Sequence, residues 1–344
     1  MRGKLWHTTL YRMKRILVTG GAGYIGSVLT RKLLKLGYEV IILDAFVYTD
    51  IGIRGLRPHS SLHIINADIC DVASLKQSLL DIDCVVHLAA IANDPSAELD
   101  VALTRRVNLD IYPVLLNAAI KAGVQRLINM SSIGVYGINL NHNVTEEAPL
   151  NPLTEYSRCK AKTETIVEQY NSDKFTTVNL RAGTVCGWSP RMRFDLSTNT
   201  LTAYAIVNKK LAVWGGEQWR PQIHIDDLTD FLVELLAIPS EKIGGKVFNA
   251  AGYNATVMEI AETIKGVLNG ELELTRTPAR SDERTYHVSS EKLARELNLT
   301  SKRNIRDAVV EILAAYQNGL WKNPDDFLYH NVKRIVSMEN TVSC

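Results

Sequence analysis

The chain has 344 residues, a formal net charge of +2, and 46% hydrophobic against 22% charged residues. That length suits one large α/β domain or a domain with a smaller lobe, and the near-neutral, interspersed charge gives no electrostatic basis for nucleic acid or an anionic membrane as partner. The five cysteines, Cys70, Cys84, Cys159, Cys186 and Cys344, form no CxxC and no Cys/His cluster, so reduced thiols, a cytosolic setting and no structural metal are expected.

Residues 1–13 are basic and aromatic without the continuous apolar core of a signal peptide, and read as a flexible extension. Arg15 to Thr19 is a short apolar, β-branched run of the kind that makes a buried parallel strand. It stops at Gly20, Gly23 and Gly26, and from Tyr24 an apolar stripe through Ile25, Val28, Leu29, Leu33 and Leu36 returns at helical period. Glycines at a strand-to-helix turn let the backbone approach a phosphate closely, and the free N–H groups at the helix start favour negative charge. A second apolar run, Val40 to Leu43, ends in Asp44. A carboxylate there accepts both ribose hydroxyls of an adenosine and repels a 2′-phosphate. NAD rather than NADP is therefore expected, with Arg54 and Arg57 in the next loop as the residues that would oppose that choice.

Strand and helix keep alternating. Strands are expected at Leu62 to Ile65, Cys84 to His87, Arg126 to Met130 and Phe175 to Leu180, with helices at Val72 to Leu80, Glu98 to Ala122 and Leu153 to Tyr170. This is the signature of a doubly wound parallel sheet, whose ligands bind beyond the carboxyl ends of the strands. Those ends carry Asp68, then His87 with Leu88, Ala89 and Ala90, then Ser131 with Ser132. Beyond Gly187 the pattern is mixed: helices at Asn199 to Lys209, Ile225 to Leu236, Thr256 to Leu268, Ser289 to Leu297 and Ile305 to Gln317, and strands at Leu211 to Val213, Lys246 to Asn249 and Leu272 to Thr275. Thr256 and Glu259 form a capping box. The expected architecture is a Rossmann-like α/β fold: an NAD-binding domain over residues 14–187, a smaller mixed α/β C-terminal substrate lobe mainly over 188–320, and a tail over 321–344 with no readable period.

Tyr156 and Lys160 lie one turn apart on a single expected helix, so their heads can meet at one small molecule. An adjacent ammonium favours the phenolate, so Lys160 is expected to lower the Tyr156 pKa and make it a proton acceptor and donor beside a nicotinamide. Ser132, at a strand end, would hydrogen-bond the reacting oxygen. A YxxxK pair is ordinarily a solvated helical face; here it follows a nucleotide turn and a serine-bearing strand.

TGGAGYIG, Asp44, Asp68, HLAA, SSIGVYG, YSRCK and LRAGTVCG, in this order, make the chain resemble the extended short-chain dehydrogenase/reductase family, in particular its nucleotide-sugar epimerase/dehydratase branch, over roughly residues 14–318. The resemblance implies that Gly20, Gly23 and Gly26, with Tyr24 and Ile25, hold the pyrophosphate of NAD. It likewise gives Asp44 the adenosine ribose, Asp68 and Ile69 the adenine, and Leu88, Ala89 and Ala90 a place along the cofactor. Tyr156 is then the catalytic acid/base, Lys160 its partner and nicotinamide-ribose ligand, and Ser132 the catalytic Ser/Thr. Dehydratases and decarboxylases of this kind carry an acidic or Ser-Glu pair directly after that Ser/Thr, where this chain has Ile133 and Gly134. Neither moves a proton, which leaves epimerisation through a transient keto sugar, or reduction of a keto sugar. Arg220 in RPQIHIDD is expected to pair with the diphosphate of a nucleotide sugar, with Arg191, Arg193, Asn199, Arg280 and Arg284 as further substrate candidates. Asn93 and Asp94 are possible contacts to substrate hydroxyls. His87, His224, Asp226 and Asp227 read as structural. The presence of Ser132, Tyr156 and Lys160 argues against a dinucleotide-binding regulatory protein without turnover. The resemblance also implies a homodimer, paired through the helices at Glu98 to Ala122 and Leu153 to Tyr170.

Overall fold

A computed structural model describes residues 13–139, 143–269, 272–278 and 285–342. The flexible extension expected at residues 1–13 therefore lies, except for Met13, outside the described residues, as do Arg280, Arg284 and Cys344. In chain order the strands are β1 Arg15–Thr19, β2 Glu39–Asp44, β3 Leu62–Asn66, β4 Cys84–His87, β5 Arg126–Ser132, β6 Thr176–Ala182, β7 Thr184–Cys186, β8 Lys210–Trp214, β9 Trp219–His224, β10 Lys246–Ala250, β11 Tyr253–Thr256 and β12 Glu273–Thr277.

Seven of them form one parallel sheet in the order β10-β6-β5-β4-β1-β2-β3. Register puts Thr19 beside both Leu43 and His87, His87 beside Asn129, and Ser132 beside Ala182, so the carboxyl ends share one edge. Both faces are buried, as uniformly apolar strands require. Ile16, Val18, Val40 and Ile42 pack on one side with Leu29 and Leu33 of the helix Tyr24–Lys35 and Leu228 and Leu232 of the helix Ile225–Ala237. Leu17, Ile41, Leu43 and Leu127 pack on the other with Leu75, Leu115, Leu116 and Val167 of the helices Val72–Ser78, Ile111–Lys121 and Glu155–Gln169. A three-stranded sheet, β11-β9-β7, and a two-stranded one, β12-β8, lie beside it.

Two departures from the expected layout matter for the site. β10, expected within the smaller lobe, is an edge strand of the large sheet beside β6, so the chain returns to that sheet after residue 187. The helix expected at Glu98 to Ala122 is interrupted: Val101–Arg105 starts at Asp100, a π-type stretch covers Arg106–Asp110, and Ile111–Lys121 follows. The wide turn brings Asn108 inward. Its Oδ1 accepts the Ile91 N–H and its Nδ2 donates to the Ile91 carbonyl, both at 2.9 Å, fixing the loop after β4. The tail also folds, into a helix over Asn331–Val342 that returns to the first domain, where Ile335 joins the core.

Candidate active site

Strand order reverses between β1 and β4, the crevice where open parallel sheets bind ligands. It opens into a cavity of about 710 Å³. One wall is the glycine turn. Gly20 has φ +70°, and a Cβ there would come within 2.8 Å of the Ala89 nitrogen; one on Gly26 would lie 2.2 Å from the Gly20 carbonyl oxygen. Only glycine closes the turn this tightly. The helix that follows has no side-chain cap at Gly23 and no acidic residue in its first turn, and Gly23, Tyr24, Ile25 and Gly26 all line the cavity. The positive end of a helix therefore meets the cavity uncompensated.

At the end of β2, Asp44 accepts the N–H groups of Ala22 (2.9 Å) and Phe46 (2.8 Å). Burial pushes its carboxyl up, while those bonds and Arg191 act against the rise. Asp68, Ile69, Leu88, Ala89 and Ala90 line the same cavity. Arg54 and Arg57 do not; both bind Asp50, at 2.8 and 2.9 Å, on the surface. A close-approach turn, an open helix N-terminus and a carboxylate opposed by no phosphate-binding arginine from that loop fit a dinucleotide with free ribose hydroxyls.

The groups expected to transfer protons enter from the other side of β4. Ser132 ends β5, and its Oγ accepts the Gly134 N–H at 3.1 Å, which leaves its own O–H to donate. Tyr156 and Lys160 lie in the first turns of Glu155–Gln169, a helix started by a capping box between Thr154 and Ser157. Lys160 Nζ donates to the Met130 carbonyl at 2.7 Å and lies 5.7 Å from the centroid of the Tyr156 ring. Burial pushes the Tyr156 phenol well above its ordinary value, Asp94 adds to the rise, and Arg193 is the cation that opposes it. The expected lowering by Lys160 is thus not what this arrangement shows. The ammonium is tied to a carbonyl, and burial brings Lys160 down to about 8. Both groups are driven toward their neutral forms, and Tyr156 rests as a proton donor.

Beneath them, Ser131 donates to Glu164, which Arg181 grips with both Nε (2.9 Å) and Nη2 (2.7 Å). Arg181 Nη1 also donates to the Tyr136 hydroxyl at 2.7 Å, and Tyr136 to Asn249 at 2.8 Å, a buried network that anchors the end of β5. His87 shares a hydrogen with Thr19 (2.7 Å) and is pushed down to about 3 by burial, so it is a neutral, structural side chain.

The substrate candidates separate. Arg220, on β9, lines the cavity with Tyr286. Arg191 lines it at the Asp44 end, stacked 4.8 Å over the Tyr48 ring and bonded to Asn331. Asn199 does not line it: its Oδ1 accepts the Gly187 N–H (3.1 Å), and its Nδ2 donates to the Tyr24 hydroxyl (3.0 Å) and the Arg193 carbonyl (3.1 Å), so it braces the loop from behind. Arg193 reaches the cavity already clamped by Asp195 at 2.8 and 3.1 Å. Asp94 lines it while accepting the Thr154 hydroxyl at 2.6 Å. His224 is the N-cap of Ile225–Ala237, and Asp227 binds the Lys302 and Arg303 N–H groups. His224 also approaches Asp226 and Glu311, a group of metal-ligand types away from the cavity. Tyr48, Asn331, Val332 and Ile335 complete the wall and were not read from the sequence. For the last three a weak signal existed: Val332 and Ile335 have helical spacing after a capping-type Asn.

A model of the NAD dependent epimerase/dehydratase family matches residues 16–251. The chain belongs to that family. Relatives of this epimerase/dehydratase include a UDP-glucose 4-epimerase of Lactobacillus helveticus, 30% identical over 304 residues (82% of this chain, 90% of that one). A dTDP-glucose 4,6-dehydratase of Streptomyces griseus is 27% identical over 323 residues (90% of this chain, 96% of that one). The solved structure of UDP-glucuronic acid 4-epimerase from Bacillus cereus, in complex with UDP-glucuronic acid and NAD, matches with a TM-score of 0.79 at 26% identity, over 89% of this chain and 100% of that one. The protein is accordingly an NAD-dependent enzyme of the extended short-chain dehydrogenase/reductase type.

Proposed function

We propose that this family member is a nucleotide-sugar epimerase that works through a transient keto sugar, in its simplest form a 4-epimerase. The observation that carries the reading is the composition of one cavity: Ser132, Tyr156 and Lys160 share it with the dinucleotide cradle, while the positions directly after Ser132 hold Ile133 and Gly134. Relatives of similar identity include 4-epimerases, dehydratases and decarboxylases, so side-chain chemistry, not identity, separates the reactions.

Bound NAD would supply a hydride acceptor at the sugar carbon and, in its oxidised form, a positive charge beside Tyr156. Tyr156 takes the hydroxyl proton of that carbon and later returns it. Ser132 donates to the same oxygen and holds it at hydrogen-bond distance. Lys160 binds the cofactor's nicotinamide ribose, and Arg220 pairs with the sugar nucleotide's diphosphate. The same composition also admits a second reading, an NAD(P)H-dependent reductase of a nucleotide-linked keto sugar, which would use the same three groups. Chromatography of the enzyme with UDP-, GDP-, CDP- and dTDP-sugars, without added cofactor, separates the two. Conversion to a stereoisomer supports the epimerase, whereas turnover of keto sugars alone with stoichiometric NADH or NADPH supports the reductase.

A homodimer is proposed alongside, through Ile111–Lys121 and Glu155–Gln169. Leu109, Pro113 and Ile166 line a shallow groove between these elements, and Val114 and Ile120 are 37% and 43% exposed. A cytosolic setting accords with free Cys70, Cys84, Cys159 and Cys186; no helix among the described residues is long and apolar enough to cross a membrane.

A further inference from the structure

Arg191 is only 2% exposed, yet it makes no ion pair within 4 Å among the described residues. Its neighbour Arg193 shows the contrast, since Asp195 binds that guanidinium through both carboxylate oxygens. Among the described residues Arg191 has one side-chain hydrogen bond, from Nη2 to Asn331 Oδ1 at 2.6 Å, and its buried Nε has no partner. Burial brings it down to about 10, with Arg193 pushing the same way and Asp195, Tyr48 and Asp44 opposing. A buried cation with an unused donor is costly unless something anionic completes it.

Its position says what that anion is. Ser189 Oγ accepts the Arg191 N–H (3.3 Å), donates to the Tyr24 carbonyl (2.8 Å) and meets Ser27 Oγ (3.0 Å), which ties this loop to the first turn of the helix after the glycines. A Cβ on Gly52 would touch Ala22, Ser27 and the Arg191 Cβ together, all within 3.0 Å, so the base of Arg191 adjoins the glycine turn. Its guanidinium stacks on Tyr48, and both line the cavity with Asp44 and Gly23. The helix start at Tyr24 to Gly26 and the Arg191 cation thus line one cavity, an arrangement that suits a dianion.

We propose that Arg191 holds the diphosphate of NAD, not that of the sugar nucleotide, and that Asn331 of the C-terminal helix seats it, so that cofactor retention depends on the tail. Asn331 is 1% exposed and fixed three ways: its N–H donates to Asp195 (3.0 Å), its Nδ2 to the Ala92 carbonyl (3.2 Å), and its Oδ1 accepts from Arg191. Val332 and Ile335 close the same wall, and Arg334 Nε donates to the Val47 carbonyl at 3.3 Å. A helix from the end of the chain thus covers the Asp44 end of the cavity. The inference rests on NAD as the cofactor and is independent of the epimerase reading, because NAD binding is measured without turnover.

The test compares full-length wild type with Arg191→Gln, Arg191→Lys and Asn331→Ala for NAD content after gel filtration and for NAD affinity by fluorescence titration. In parallel it measures affinity for whichever of UDP, GDP, CDP and dTDP binds the wild type. Arg191→Gln should weaken NAD about 10- to 100-fold, as the loss of one charge-assisted hydrogen bond implies. Arg191→Lys should fall between it and wild type, because it keeps the charge but loses the planar fork. Asn331→Ala should lose NAD in the same direction, with nucleoside diphosphate affinity preserved throughout as the sign that the fold is intact. Unchanged NAD affinity in Arg191→Gln and Asn331→Ala, or a loss confined to the nucleoside diphosphate, overturns the assignment.

Discussion

Tyr156 and Lys160 are pushed in opposite directions by the same burial, and the charged groups that act on the phenol are Asp94 and Arg193. Two outcomes follow at this scale. Tyr156→Phe keeps the ring but removes the proton, and should lower kcat by about 10²- to 10⁴-fold while NAD content stays at the wild-type level; unchanged turnover would revive the regulatory, non-catalytic reading. Asp94→Asn removes a negative charge that raises the phenol, so the limb of the kcat–pH profile that belongs to Tyr156 should move to lower pH, with turnover otherwise retained. Collapse of turnover in Asp94→Asn would instead make this carboxylate a proton-transfer group and point to elimination. The candidates for proton transfer could be picked out because each lies in a local pattern, a strand end or one helical turn. The roles of Asp94 and Arg193 were not, because they come from loops far apart in the chain that meet only in the folded cavity.

The element that carries Tyr156 and Lys160, Glu155–Gln169, is held by its first turn. Glu155 is pulled down to about 2, first by Arg105 and then, against burial, by Arg158. A carboxyl depressed on folding contributes stability above its unfolded pKa, about 4.3, and that stability is lost as pH falls toward 2. Arg105→Ala should therefore move the acid-unfolding midpoint, followed by circular dichroism, to higher pH. The shift should be modest, since Arg105 is 56% exposed and water screens the pair. An unchanged midpoint would contradict the role given to this turn. The long apolar strands and capped helices were legible from period and caps, down to the Thr256–Glu259 box. The small sheet was not: β7 has three residues, and β9 carries Pro221, which argues against a strand in isolation. The break at Arg106–Asp110 was also hidden, because the apolar period runs through it while Asn108 turns inward for a partner distant in sequence.

At the scale of the whole molecule, the last part of the chain changes the picture most. Trp321 packs 4.7 Å from Phe194, and Tyr329 lies 5.0 Å from the same ring, which leads the chain back across the cavity to Asn331. Beyond the weak helical spacing of Val332 and Ile335 nothing local announced this, since what selects these residues is a surface built by other segments. The proposed dimer predicts light scattering at twice the chain mass at micromolar concentration, and loss of that state on placing a charge at Ile166; a monomeric wild type would remove the proposal. In the proposed reaction one hydride leaves and returns to the same sugar carbon within the cavity. Mass spectrometry of the product formed from a nucleotide sugar deuterated at that carbon, with no cofactor added, tests it most directly. A stereoisomer of unchanged mass that retains its deuterium is the predicted result; loss of water, of carbon dioxide or of the label would contradict it.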